Sequence, residues 1–373
     1  MPVEEIIAPA LTTKSKIISA TQDTCEHINR QINSMQKSFI GIFSAILLIV
    51  FGLTLLLSRL ITNPIVALKK SSEIIGGGDL DHRVEVKTGD ELEDLANSFN
   101  KMALDLKERM EELRRTTAEK ERILKELEIA RGIQQSFLPE SVPEIKGVDL
   151  AAFNLPAREV GGDFYDFIPI SADKWGLVIA DVSGKGVPAA LFMALSRTLV
   201  RANAVGNPTA SEAIRRAGDL IAEDDRSGMF VTLFYGVLDS AKKTLTYVNA
   251  GHNPPLMLRR GDIITLKAKG IVLGIMPDIE LEEKEISLGE GDIVVLYTDG
   301  VTESINDKEE QFGQERLTQV VEKGSNLSAP ELVKRIEQEV AEFSRGQHQF
   351  DDITLLILKV AKDEKQLEDR TND

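Results

Sequence analysis

The sequence predicts an α+β chain in three parts: an apolar helix long enough for a bilayer, an amphipathic helical stretch, and a layered domain of strands and helices. Three observations predict it. Residues 38–58 carry no charge, and 39–57 are almost wholly apolar. Apolar residues then recur at spacings of seven between Leu92 and Ala130. From Val148 onward, short apolar runs alternate with turn clusters and helical patterns. With 373 residues, 42% hydrophobic and 28% charged, the chain has room for more than one packed domain. The 60 acidic residues outnumber 44 Lys and Arg, a net charge of −16. That argues against a nucleic-acid partner, whose phosphates require clustered cations. The single cysteine, Cys25, excludes an intrachain disulfide and a Cys-based zinc site. The four histidines are His27, His82, His252 and His348, so a metal site here would be built from oxygen donors. Such donors suit magnesium, manganese or calcium.

Residues 1–37 form a helical segment feeding the span, with Ile17, Ile18, Ile28 and Ile32 as its apolar marks. The start of the chain reads as though a longer sensor were absent. Cys25 either links two chains or is an idle thiol. Residues 38–58 form the transmembrane helix: 21 residues at 1.5 Å each give about 31 Å, the thickness of a bilayer core. Arg59, Lys69 and Lys70 follow the span and Arg30 and Lys37 precede it, a slight bias toward a cytoplasmic C-terminal side. The expected location is therefore the cell (inner) membrane, single-pass, with the C-terminal domain cytoplasmic.

Pro64 opens an amphipathic helix carrying Ile65, Leu68, Ile74 and Ile75, and Gly76-Gly77-Gly78 stops it. A connector over 79–89 precedes a second helix opened by Asp90-Glu91, acids suited to a helix N-terminus. Helix, connector and helix directly after a span resemble a HAMP signalling module. The resemblance rests on Pro64, Gly78-Asp79-Leu80 and Asp90-Glu91, is assigned to 59–107, and implies a parallel homodimer. The second helix runs on as a coiled-coil linker over 108–138. One seam is Leu92, Phe99, Leu106, Leu113, Lys120, Leu127 and Gln134; the other is Leu95, Met102, Arg109, Thr116, Ile123 and Ala130. Arg109, Thr116 and Lys120 weaken its middle, which leaves open a poor coiled coil, one with two registers, or a lone solvated helix. Pro139 and Pro143 end it.

The domain over 139–361 follows, with strands expected at 150–155, 164–170, 176–182, 230–238, 244–249, 293–297 and 353–360. Helices are expected at 187–204, 209–223, 314–322 and 329–343. Residues 362–373 form a charged, frayed tail. Four acidic positions lie where a strand meets a glycine-rich or polar turn: Asp163 after Gly161-Gly162, Asp181 before Val182-Ser183-Gly184, Asp299 before Gly300, and Asp351-Asp352 before the last strand. Each alone fits a turn or a cap. Together, carboxylates at buried strand ends demand positive charge, and a pair of hard divalent cations supplies it.

Six segments resemble the PPM-type metal-dependent serine/threonine phosphatases of the SpoIIE-like bacterial branch. They are Ile133-Gln134-Gln135-Ser136-Phe137-Leu138-Pro139, 158–166, 180–191, Asn249-Ala250-Gly251-His252-Asn253-Pro254-Pro255, Tyr297-Thr298-Asp299-Gly300-Val301-Thr302-Glu303 and Asp351-Asp352-Ile353-Thr354, in family order over about 129–360. The resemblance implies a β-sandwich flanked by helices and two divalent cations, Mn2+ or Mg2+, that activate water for attack on phosphorus. It implies Asp163, Asp181, Asp299 and Asp351 as metal ligands, with the Val182 carbonyl beside them, and Asp352 outside the ligand set. Asp166 is a weaker candidate for an outer role. It also implies Arg158 as a phosphate-binding residue, the alternative being an ion pair with Glu159. The catalytic set is thus Asp181, Asp163 and Arg158. The implied substrate is a phosphorylated regulator of the anti-sigma-factor antagonist type, and the implied trigger is the linker helix.

Other readings hang on particular residues. His252 fits a turn hydrogen bond better than a general acid. Lys185 fits a solvent lysine better than a phosphate contact, and Trp175, Phe164 and Tyr165 fit the core. A histidine kinase needs a phosphoacceptor on the linker, and no histidine lies between His82 and His252. A nucleotide cyclase is suggested by Gly-Gly-Asp-Phe alone. A non-catalytic phosphatase-fold scaffold, or another output domain joined to HAMP, is the remaining alternative.

Overall fold

The computed structural model describes residues 4–207, 209–224 and 228–361; the charged tail expected at 362–373 lies outside them. The chain divides into two compact units, with the boundary between Lys120 and Glu121.

In the first unit, α1 (Glu4–Leu57) is one continuous helix of 54 residues. The apolar side chains of 39–57 are all exposed, and the helix is long and apolar enough to cross a membrane. A π-helical turn, Ser58–Thr62, joins it to α2 (Asn63–Gly76), where Pro64 occupies the first turn. Proline has no N–H to give the preceding turn, which favours the wider local winding. Gly77 caps α2 and Gly78 turns the chain with φ 105°. The connector is tied down at two places. Asn100 holds Val84 through both amide atoms, at 2.8 and 3.0 Å, and Lys107 pairs with Asp81 at 2.6 Å. Val84, Val86 and Ala96 form a small core with Leu68, Leu92 and Phe99. Asp90 starts α3 (Glu91–Phe137), its carboxylate accepting from the Leu92 N–H at 3.0 Å. On that helix Leu95, Met102, Leu113 and Ile123 of the heptad pattern are exposed.

The second unit is a β-sandwich of two five-stranded antiparallel sheets. One runs β1 (Val148–Leu155), β10 (Ile353–Val360), β9 (Ile293–Tyr297), β6 (Leu256–Arg259), β7 (Asp262–Thr265). The other runs β2 (Phe164–Pro169), β3 (Lys174–Val182), β4 (Val231–Asp239), β5 (Thr244–Ala250), β8 (Lys284–Ser287). Side-chain alternation sorts each strand into two packing layers. In β10, Leu356 and Leu358 face the other sheet with Leu177, Ile179 and Phe234. Leu355 and Ile357 face outward onto α7 (Gly313–Lys323) and α8 (Ala329–Phe343). In β4, Leu233 and Tyr235 likewise meet α4 (Val187–Ala204) and α5 (Ala210–Asp224). The order is helices, sheet, sheet, helices.

The seven expected strands and four expected helices are present with ends shifted by at most two residues. Strands β6, β7 and β8, four residues each, and the one-turn helix α6 (Asp299–Thr302) were not expected. The β6–β7 turn uses Arg260 and Gly261, both at positive φ, which no Asn-Gly or Asp-Gly signal announces.

Candidate active site

Two strand pairs end side by side at one rim of the sandwich. Phe164 of β2 is opposite Ala180 of β3, which brings Asp163 and Asp181 to the same end of one sheet. Tyr297 of β9 is opposite Leu355 of β10, which does the same for Asp299 and Asp351-Asp352 in the other sheet. Two threonines join the sheets there. The hydroxyls of Thr298 and Thr354 both donate to Asp163 Oδ2, each at 2.7 Å. Asp163 is buried, and its carboxyl is pushed well above the usual carboxylate range by burial and then by Asp181 and Asp352, against the pull of the two threonines.

The other acids share this crowding. Burial, then Asp299, Asp351 and Asp352, push the Asp181 carboxyl up to about 7, opposed by its hydrogen bond with Asp163. Two carboxyls can share that bond only if one of them holds a proton. Asp299 is pushed upward by burial and by Asp351 and Glu303. Gly300 lets this happen: a Cβ there would stand 2.0 Å from the Asp352 carbonyl oxygen, so only glycine admits the close approach of α6 to the start of β10. The structure thus brings together Asp163, Asp181, Asp299 and Asp351, residues up to 188 positions apart in sequence (351 − 163).

Asp351 pairs with Lys185 at 2.8 Å. Lys185 is therefore no solvent lysine: its Nζ also donates to the Phe350 carbonyl and lies 3.9 Å from the centre of the Phe350 ring. Among the described residues, no three His, Cys, Asp or Glu side chains are grouped as a finished metal cage. The donor chemistry nevertheless fits hard divalent cations: buried carboxylates whose charges repel, with the Val182 carbonyl at the end of β3. That carbonyl is kept clear, since a Cβ on Gly162 would approach it to 2.9 Å.

Asp352 has a different task. Its Oδ1 accepts from the Ala157 N–H at 2.7 Å, and its Oδ2 from those of Gly162 at 2.6 Å and Asp163 at 3.3 Å. It shapes the loop that carries Asp163 and is neither a solvated edge nor a helix cap. Arg158 is exposed, and among the described residues it makes no ion pair, with Glu159 or any other acid. Its Nη1 stands beside Gly186 at the N-terminus of α4, 3.8 Å from where a Cβ would be. A guanidinium next to a helix N-terminus makes that corner receptive to anions.

Two candidates prove to be architectural. His252 is buried, its Nδ1 bonded to Thr232 Oγ1 at 2.8 Å, and burial lowers it to about 4, so it stays neutral. Asn249 closes its turn, accepting from the His252 N–H at 2.7 Å and donating to its carbonyl at 3.0 Å. Asp166 is 1% exposed and binds Arg201 at 2.7 Å and Arg197 at 3.0 Å, fastening α4 to β2. Asp166→Ala would leave the mostly buried Arg197 unpaired, and is expected to cost about 3–5 kcal/mol in urea unfolding.

Comparisons with known proteins agree with this fold. The family described as Stage II sporulation protein E (SpoIIE) matches residues 171–361, and the HAMP domain matches 56–108. The chain is 36% identical over 330 residues to Protein IcfG of Synechocystis, covering 80% of this chain and 51% of that one. It is 33% identical over 241 residues to "Phosphoserine phosphatase RsbU" of Bacillus subtilis, covering 64% and 70%. It thus spans about half the length of IcfG. Among solved structures, the SiaA-PP2C domain of Pseudomonas aeruginosa aligns with a TM-score of 0.57 at 23% identity, over 65% of this chain and 98% of that one. The PP2C domain of SpoIIE from Bacillus subtilis, with a fragment of its regulatory domain, aligns with a TM-score of 0.51 at 19% identity, over 58% and 64%. These two likenesses concern the fold. By sequence, the chain belongs to the Stage II sporulation protein E (SpoIIE) family, with a HAMP domain ahead of the matched region.

Proposed function

We propose that this chain is a membrane-anchored, metal-dependent protein serine/threonine phosphatase, gated through a HAMP and coiled-coil homodimer. One observation carries the chemistry: Asp163, Asp181 and Asp299 gather at one rim and are all pushed above their ordinary range by burial and by one another. Asp163, Asp181, Asp299 and Asp351 would hold two divalent cations, Mn2+ or Mg2+, with the Val182 carbonyl. Such cations supply the positive charge and water acidity that hydrolysis of a phosphate ester needs. The protein's own residues do the rest. Asp352 and the two threonines hold Asp163 in place. Arg158 and the N-terminus of α4 receive phosphoryl oxygens, a task for which the bidentate guanidinium is suited. No cysteine lies in this unit to act as a nucleophile.

The substrate class we propose is a phosphorylated regulator of the anti-sigma-factor antagonist type, an extension from RsbU rather than from any residue of the site. Membrane anchoring is supported by the exposed apolar stretch of α1, which is long enough to cross a bilayer. A cytoplasmic catalytic unit is supported by the slight excess of basic residues after that stretch. The homodimer is supported by the exposed Leu95, Met102 and Leu113 on α3, which a second copy would cover. The test is phosphate release from a phosphoserine or phosphothreonine peptide by the full chain with Mn2+. Release that stops with EDTA and returns with Mn2+ is expected. Release unaffected by EDTA would exclude the metal-dependent reading, and no release would favour the scaffold alternative.

A further inference from the structure

One side chain near the end of α3 reaches the loop that carries Asp163. Gln134 is 8% exposed, although Ile133 and Phe137 beside it are exposed. Its Nε2 donates to the Gly161 carbonyl at 2.6 Å, and its Oε1 accepts from the Gly161 N–H at 3.1 Å. A side-chain amide that satisfies both backbone groups of one residue stands in for a strand neighbour. Gly161 is buried and lies in no strand, so these groups need such a partner. The next two N–H groups, of Gly162 and Asp163, go to Asp352. All three N–H groups of the loop are therefore taken by side chains, one from α3 and one from the entry to β10. Leu138, four residues after Gln134, packs against the cluster of Phe164, Val182 and Ala189. The helix end is thus seated by an apolar contact and a polar one.

We infer that Gln134 is a positioning residue for metal binding: through Gly161, the last turns of α3 set where the Asp163 carboxylate stands. Gln134 touches neither substrate nor metal. The inference rests on the reading of Asp163 as a metal ligand. Partners that orient a ligating group typically change metal affinity about 10–100-fold when they are removed. It follows that the end of α3 is a working part of the catalytic unit, not a tether to it.

The test measures Mn2+ binding to the full chain by isothermal titration, with melting followed by the fluorescence of Trp175. Gln134→Met keeps the length and removes both hydrogen bonds. Asp149→Ala serves as a destabilised control, because that carboxylate caps α8 through the Ala329 N–H at 2.6 Å, away from the loop. Gln134→Met is expected to weaken Mn2+ binding by about 10–100-fold, while Asp149→Ala melts lower with its affinity within about twofold of wild type. Gln134→Asn retains the amide but is one methylene too short. It should fall between wild type and Met, and it carries the comparison if the Met variant does not fold. Wild-type affinity in the Gln134 variants would overturn the inference, as would an equal loss in Asp149→Ala. A wild type that binds no Mn2+ would overturn the metal reading beneath it, a result distinct from the other two.

Discussion

Asp181→Asn should reduce phosphate release from a phosphopeptide by at least about a thousandfold, equivalent to about 4 kcal/mol of transition-state stabilisation. Asn keeps the shape of the side chain and removes its charge. Among the acids of the rim, Asp181 is the one pushed upward by Asp299, Asp351 and Asp352 together. The same substitution should have the opposite effect on stability. With EDTA present at pH 8, the variant should unfold at higher urea than wild type, since one of the repelling charges is gone. Loss of function with a gain in stability is the signature of a site built against its own fold. A variant that keeps a tenth of the activity, or is less stable than wild type under EDTA, would count against the site.

The metal-free protein should become less stable as pH rises, the reverse of most carboxylate-rich proteins. The sign comes from the direction of the shifts. Asp181 moves from 3.8 to about 7 on folding, and Asp163 and Asp299 move upward as well. The folded protein therefore holds these protons more tightly than the unfolded chain. Their contribution is fully present below about pH 4 and is lost as pH climbs through 7. For Asp181 alone, three units amount to about 4 kcal/mol. Urea unfolding in EDTA, read from Trp175 in β3, should show a drop of several kcal/mol between pH 5 and pH 8. Added Mn2+ should abolish the drop, because cations replace the protons. A flat or rising profile in EDTA would mean the carboxylates are not crowded.

The parts of this molecule that are plain in the sequence are those with long, uniform signals. Strands β9 and β10 are mostly apolar runs buried on both faces, so their ends are unambiguous. The acids Asp163, Asp181, Asp299 and Asp351 stand out because each interrupts such a run at a turn. The short edge elements β7 and β8 carry too few residues for a period to register, and their faces are mostly exposed. The residues that shape the site are hidden for another reason. Thr298 and Thr354 resemble ordinary strand formers, and their bonds to Asp163 span 135 and 191 positions. Asp352 falls outside the implied ligand set, yet nothing local shows the three amides it holds. Gln134 looks like a weak seam residue of a coiled coil. Its partner lies 27 residues away, beyond the end of its helix.

The wide turn at Ser58–Thr62 has a bearing on how relatives are compared. It houses one residue more than an ordinary helical repeat, and each added residue rotates the downstream helix by about 100°. Relative to an uninterrupted helix, the face that Ile65 and Leu68 begin is turned by that amount. An alignment drawn without a gap across Pro64 to a helix that lacks the wide turn will pair different faces. A chimera spliced there must preserve the residue count, whatever amino acids it carries.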